Sequence, residues 1–243
     1  MSAGGRQWAP EASRRPRRRA GLPVALALGL LIAGCTAAGP PENALAQRLT
    51  WFSYLNGDDL RLRCAAATPP VFRLVYNAVF TEQVRAYEVI GLASGGARLE
   101  TRIWRGSNLL RLDLVDPINR PTMAVGWLDA REFADLIDRL AASGFFASAP
   151  DGLTLRSDDY YWLVAGCSDG VLHVNGYPIA EIPRLAAVEL LARHDPTGEP
   201  LPTPRRLYLP PFGARIADTR SGFGGPYFLV ELGPHGLNNV TPF

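Results

Sequence analysis

Two aspartate doublets, Asp58-Asp59 and Asp158-Asp159, and three histidines, His173, His194 and His235, are the side chains of this 243-residue sequence best suited to acid–base chemistry. Hydrolysis by paired acid and base needs one group to give a proton and one to take it across a shared surface. Adjacent residues of a strand point to opposite faces, so neither doublet alone makes such a pair. A hydrolytic site would have to be assembled from distant positions such as Asp158 and His173, in a concave pocket where the two converge. The sequence carries no HExxH helix, no G-x-S-x-G elbow, no phosphate loop and no CxxC. All 25 basic residues are arginine, which excludes lysine nucleophiles, Schiff bases and phosphate-loop lysines. No histidine lies at ligand spacing from Cys64 or Cys167. Sequence therefore assigns no catalytic residue, no cofactor and no metal site, and whether the chain is an enzyme stays open, leaning to no.

The elements that would carry these residues are read from periodicity. Pro41-Glu42 can open a helix whose apolar positions Leu45, Leu49, Phe52 and Leu55 recur near helical spacing until Asn56-Gly57 ends it. Its Trp51, Phe52 and Tyr54 face either the core or a lipid surface. From Arg61 onward the period becomes two. Strands are predicted over 72–76, 83–89, 97–103 and 109–114, with turns at Gly95-Gly96 and Gly106-Ser107-Asn108, making an antiparallel meander. Its outer side would carry Arg85, Arg98, Glu100, Arg102, Arg111 and Asp113, while Leu99, Ile103, Leu110, Leu112 and Leu114 face the core. Such an arginine–carboxylate lattice could bind an anionic glycan, although cross-strand pairing on a solvated face needs no ligand.

Residues 123–128 read as a further strand. Asp129 with Glu132 makes a capping pattern before a helix with Phe133, Leu136, Ile137 and Leu140 on one face, closed by Gly144. Residues 160–165 and 171–174 form a hairpin around Ser168-Asp169-Gly170, and Pro183 opens a helix with Ile182, Leu185, Val188 and Leu191 on one face. The fold class is α+β: an antiparallel sheet meander with two or three amphipathic helices in a single main domain, residues 42–195. Residues 196–243 form a Pro/Gly-rich C-terminal extension in which 227–230 can add one strand.

The N-terminal segment has a different character. Arg14-Arg15-Pro16-Arg17-Arg18-Arg19 precedes an apolar stretch, Gly21 to Gly34, that is shorter than the roughly 20 residues of a spanning helix. It ends in Ile32-Ala33-Gly34-Cys35. Together these resemble the signal peptide and lipobox of bacterial lipoproteins. That resemblance implies a signal peptide over 1–34, acylation of the Cys35 thiol, which then becomes the mature N-terminus, and a short lipidated tether over 35–41. Each buried acyl methylene contributes about 0.8 kcal/mol, so two or three chains anchor stably where one is marginal. The bilayer is then one partner, through Cys35. Thr36 resembles the residue after the cysteine in lipoproteins sorted to the outer membrane, which implies a periplasmic face there.

Export would also place Cys64 and Cys167 in an oxidising compartment, where the remaining pair commonly bridges, two free core thiols being the alternative. The charge of the exported part differs from that of the whole. Residues 1–34 hold six of the 25 basic and one of the 23 acidic residues, leaving 19 and 22, a net of −3. A slightly acidic body has no electrostatic reason to bind nucleic acid.

The order helix, Gly144-Phe145-Phe146, a strand with Asp158 and Tyr160, a strand with His173-Val174, then Pro183 and a helix through Leu185 is loosely similar to small bacterial domains that include the emfourin inhibitors of secreted metalloproteases. That resemblance implies an inhibitor or binding module. The expectation from sequence is a membrane-anchored envelope lipoprotein acting as a non-catalytic binding or assembly module on an unknown protein or envelope partner. A periplasmic hydrolase of envelope glycans or peptides, or a protease inhibitor, is the alternative.

Overall fold

A computed structural model describes residues 51–64, 69–105, 121–211 and 227–242, all within one compact unit, Thr36–Phe243. Helical residues 51–56 lead through Gly57 into helix α1 (Asp58–Cys64). Strands β1 (Val71–Ala78), β2 (Gln83–Gly91), β3 (Ala97–Arg105) and β4 (Thr122–Leu128) follow, then helix α2 (Ala130–Ala142). Next come β5 (Leu153–Arg156), β6 (Tyr160–Ser168), β7 (Val171–Pro178), a 3-10 turn (Ile182–Arg184), helix α3 (Ala187–Arg193), β8 (Phe228–Gly233) and β9 (Gly236–Pro242). The α+β class holds. Six antiparallel strands order as β4-β3-β2-β1-β6-β7, and β5-β8-β9 form a second, smaller sheet.

The large sheet is covered on both faces over its centre. Successive side chains of a strand alternate between faces, and here both sets are apolar. Phe72, Leu74, Tyr87, Val89, Leu99, Trp162 and Val164 meet Phe133, Leu136 and Leu140 of α2 and Leu190 and Leu191 of α3. Val71, Val75, Val84, Ala86, Leu163 and Ala165 meet Trp51, Leu55 and Leu60 on one side and Leu155, Phe228, Val230 and Leu232 of the small sheet on the other. Trp51 and Leu55 thus belong to a core. The last strands of the Pro/Gly-rich extension complete this second core, β8 being the strand expected near 227–230.

Three local signals produce what they predict. Asp129 caps α2: its side chain accepts from the Glu132 N–H and the Glu132 side chain accepts from the Asp129 N–H, each at 2.8 Å. Gly144, at φ +81°, closes that helix with the Phe145 N–H on the Leu140 carbonyl. Asp169 and Gly170, at φ 53° and 78°, make the two positive-φ centres of a tight hairpin turn between β6 and β7.

Three expectations are corrected. Residues 58–64 are helical where a strand-like period was read from Arg61, because Gly57 at φ +68° turns the chain and Asp58 and Asp59 then fill a first helical turn. The helix at Pro183 is two pieces, a 3-10 turn and α3, since Leu185 takes ψ 66° between them. Arg85 lies opposite Ile103 across β2–β3, so it shares the α2–α3 face with Leu99 and Ile103 and is fully buried, not on an outer side with Arg98, Glu100 and Arg102. The strand expected at 109–114, with Leu110, Arg111, Leu112, Asp113 and Leu114, lies outside the described residues, as do Cys35 and the N-terminal segment.

Candidate functional site

Among the described residues, the largest assembly of charged side chains is a row across β1, β2 and β3 on the face toward α1. Register sets it. Arg73 lies opposite Glu88, Glu88 opposite Glu100, and Glu100 opposite Val125 of β4. Arg73, buried between β2 and β6, grips Asp59 of α1 with both terminal nitrogens, at 2.8 and 2.6 Å, and donates a third bond to the Tyr54 carbonyl at 2.9 Å. Its guanidinium also lies 3.7 Å from the centre of the Tyr54 ring. Arg102 bridges the two glutamates, reaching Glu88 at 3.1 Å and Glu100 at 2.8 Å, and Arg98 meets Glu100 at 2.7 Å. Trp51, Tyr54 and Trp104 close one flank in mutual ring contact.

Electrostatics in this row run toward mutual satisfaction. Burial alone would raise the Asp59 carboxyl, but the hydrogen bonds and charge of Arg73 outweigh it and hold the group below its ordinary value. Burial pushes the Tyr54 phenol up, against the opposing pull of Arg73 and Arg102. Each of Asp59, Glu88 and Glu100 has at least one guanidinium partner. The Asp59 carboxylate is thereby a poor proton acceptor, because taking a proton would leave the buried Arg73 without its closest counter-charge. The row is partly covered, and its outer end, Arg98 and Arg102, borders the open side chains of β4.

The remaining sequence candidates stand apart. Asp158 is buried and forked by Arg156, at 3.0 and 2.9 Å, just before β6 begins at Tyr160. His173 lies opposite Gly166, six residues further along β6, its ring against those of Phe145 and Phe146 at 5.9 and 5.2 Å. Strand rise separates the ends of that interval by about 20 Å, so Asp158 and His173 do not converge. Asp58 accepts from the Asn56 amide, and Asp159 accepts from the Tyr160 N–H. His194 ends α3 and meets Glu132 at 3.2 Å, while His235 is exposed in the β8–β9 turn. A shallow groove of about 610 Å³ between α2 and α3 is lined by Asp129, Glu132, Asp135, Asp138 and His194. Among the described residues, no three His, Cys, Asp or Glu side chains group as metal ligands.

Cys64 and Cys167 form a disulfide, Cα atoms 5.5 Å apart, tying α1 to β6 across 103 residues of sequence. Sequence reasoning missed a second long-range tie. Arg85 donates to Asp195 at 2.8 Å and to the carbonyls of Glu199 and Pro200, while the Tyr87 hydroxyl also donates to Asp195 at 2.8 Å. The Tyr76 hydroxyl donates to the Pro202 carbonyl at 2.8 Å. These bonds lay the proline-rich segment after α3 over a group of stacked rings, Tyr76 and Tyr87 each stacking with Trp162. The only local sign was an arginine among Val84, Ala86 and Tyr87.

Compared with family models, with curated proteins and with solved structures, the chain matches none.

Proposed function

We propose that this protein is an envelope lipoprotein, held to a membrane by acyl chains on Cys35, whose α+β domain serves as a non-catalytic binding or assembly module. The observation that carries the anchor is the sequence Ile32-Ala33-Gly34-Cys35 behind a short apolar segment and an arginine cluster. The disulfide supports it from a second direction, since such a bond persists in oxidising compartments. Among the described residues no helix is long and apolar enough to cross a membrane. Attachment by acyl chains needs none. The non-catalytic reading is supported by the engagement of the acid–base candidates: Asp158 is held by Arg156, Asp59 by Arg73, and His173 packs against two phenylalanine rings.

The test is labelling of the full chain with a radioactive or alkyne-bearing fatty acid in a bacterial host, followed by membrane fractionation. Label and membrane association should both appear in the parent chain and both disappear in Cys35→Ala. Label that survives the substitution, or an unlabelled parent chain, would overturn the anchor.

A further inference from the structure

Residues 199–204, Glu-Pro-Leu-Pro-Thr-Pro, follow α3 and form neither helix nor strand. Proline at every second position holds φ near −65° and presses the residue before it toward extended backbone, so covalent geometry gives the stretch a polyproline-type course. Such a chain leaves its carbonyls free for outside donors and has no N–H at its prolines. The surface beneath it matches that chemistry. The Tyr76 hydroxyl donates to the Pro202 carbonyl at 2.8 Å, and Arg85 donates to the carbonyls of Glu199 and Pro200 at 2.8 and 3.2 Å. Leu201, between two prolines, is half-buried against the core that holds Tyr76, Tyr87 and Trp162.

Charge marks both ends of the contact. Glu199 pairs with Arg105, and beyond Pro204 the Arg205 guanidinium reaches Glu82 while lying 5.7 Å from the centre of the Tyr160 ring. Opposite charges at the two ends set the direction of the chain. Stacked rings, side-chain donors aimed at carbonyls and an acidic group for a flanking arginine are what a surface needs to read a proline-rich peptide. A β-strand would bring an N–H at every residue to be matched by acceptors, whereas the contacts here are made to carbonyls. The resident segment is also held so that it can leave. Side chains attach it to the sheet, and Thr203 to Arg206 face water. Asp195, just past α3, accepts from Arg85 and Tyr87 at 2.8 Å independently of the segment, so opening the groove does not strand the buried arginine.

We infer that this groove is a recognition site for a proline-rich segment of a partner protein, with the pattern acidic-Pro-apolar-Pro-x-Pro-Arg, and that residues 199–205 are a resident copy of that ligand which the partner displaces. The resident occupies the groove at the high effective concentration of a tethered ligand. A partner must therefore match its pattern to compete. This names the partner class of the binding-module reading above and rests on it, while being independent of the anchor.

The probe is a labelled peptide with the sequence of residues 198–207, beside a twin in which its three central prolines are alanine, titrated by fluorescence anisotropy against the full chain in detergent. The parent should bind weakly. Pro200→Gly, Pro202→Gly and Pro204→Gly together loosen the resident, and this variant should bind the proline peptide roughly tenfold more tightly than the parent does, and more tightly than it binds the twin. Tyr76→Phe added to it removes the donor to the Pro202 carbonyl and should weaken binding about fivefold. Arg205→Glu, an exposed change that sets two carboxylates together at Glu82, loosens the resident from outside and should show a gain of its own even where the triple variant does not fold. Absence of binding by every folded variant, equal binding of the twin, equal affinity in parent and loosened chains, or indifference to Tyr76→Phe would each overturn the site. The fatty-acid label on Cys35 is read separately, so the groove and the anchor fail independently.

Discussion

Arg85 and Asp195, 110 residues apart in sequence, meet at 2.8 Å with side chains 0 and 2% exposed, so a charge pair from β2 and the end of α3 is sealed against the face that α2 and α3 cover. Removing water from two charges is expensive, and this pair offsets the cost by adding Tyr87 and the carbonyls of Glu199 and Pro200 to its bonds. The arginine thereby decides where the proline-rich segment runs.

Breaking that pair from one side should be far worse than removing it from both. Arg85→Ala leaves the Asp195 carboxylate buried without its cation, with an expected loss of about 3–5 kcal/mol. The double variant Arg85→Met with Asp195→Leu should lose less than either single change, because no uncompensated charge remains. Urea unfolding of Arg85→Met, Asp195→Leu and the double variant checks the order. A double variant as unstable as the sum of the singles would mean that the pair is not coupled.

The Cys64–Cys167 bond closes a separation of 103 residues, for which the chain-entropy view gives a constraint on the unfolded state of about 4–5 kcal/mol. Measured losses are commonly about 2–5 kcal/mol. Cys64→Ala with Cys167→Ala should therefore lower the melting temperature markedly at neutral pH. Dithiothreitol should lower that of the parent chain toward the same value and leave the double variant where it is. Calorimetry with and without reductant reads both.

What could be read from sequence was whatever a few neighbouring residues decide. Asp129 and Glu132 are three apart, Asp169 and Gly170 adjacent, and Phe133, Leu136 and Leu140 share a helical face, so each signal is complete within its own element. The face occupied by Arg85 was not legible in that way. Alternation separates the two sides of a strand but does not say which will be covered. Both become buried here because β8 returns from the far end of the chain to pair with β5, and Phe228, Val230 and Leu232 pack on the face opposite α2. The same is true of Arg73, whose partners Asp59 and Tyr54 belong to another layer. Helix 58–64 was hidden by its shortness and by the arginines alternating with leucines in Leu60-Arg61-Leu62-Arg63, which mimic a strand.

Acid should find the Asp59–Arg73 tie. The folded Asp59 carboxyl sits below its ordinary value of 3.8 because Arg73 outweighs burial. Its contribution is therefore fully present above that value, and is lost as pH falls from 3.8 through the lower folded value. Asp59→Asn should be less stable than the parent at pH 6, with the difference shrinking below about pH 4. Thermal melts across that range check it. A difference constant with pH would assign Asp59 a role that does not depend on its charge.

The opposite end of the pH scale tests the tyrosines of the two cores. Burial raises the phenols of Tyr76, Tyr87, Tyr161 and Tyr177 above the ordinary value of 10.0, most simply at Tyr161, where burial is the sole cause. Above pH 10 the unfolded chain releases these protons while the folded chain keeps them. The folded state then binds more protons, so stability is intact below pH 10 and falls as pH rises past it. Phenolate absorbance of these groups should appear together with loss of the tertiary circular dichroism signal, not ahead of it. Tyr161→Phe keeps the ring and deletes one such proton, so its stability should decline less steeply above pH 10 than that of the parent. Ionisation of Tyr161 in a chain still folded would mean that water reaches the space between β6 and the small sheet.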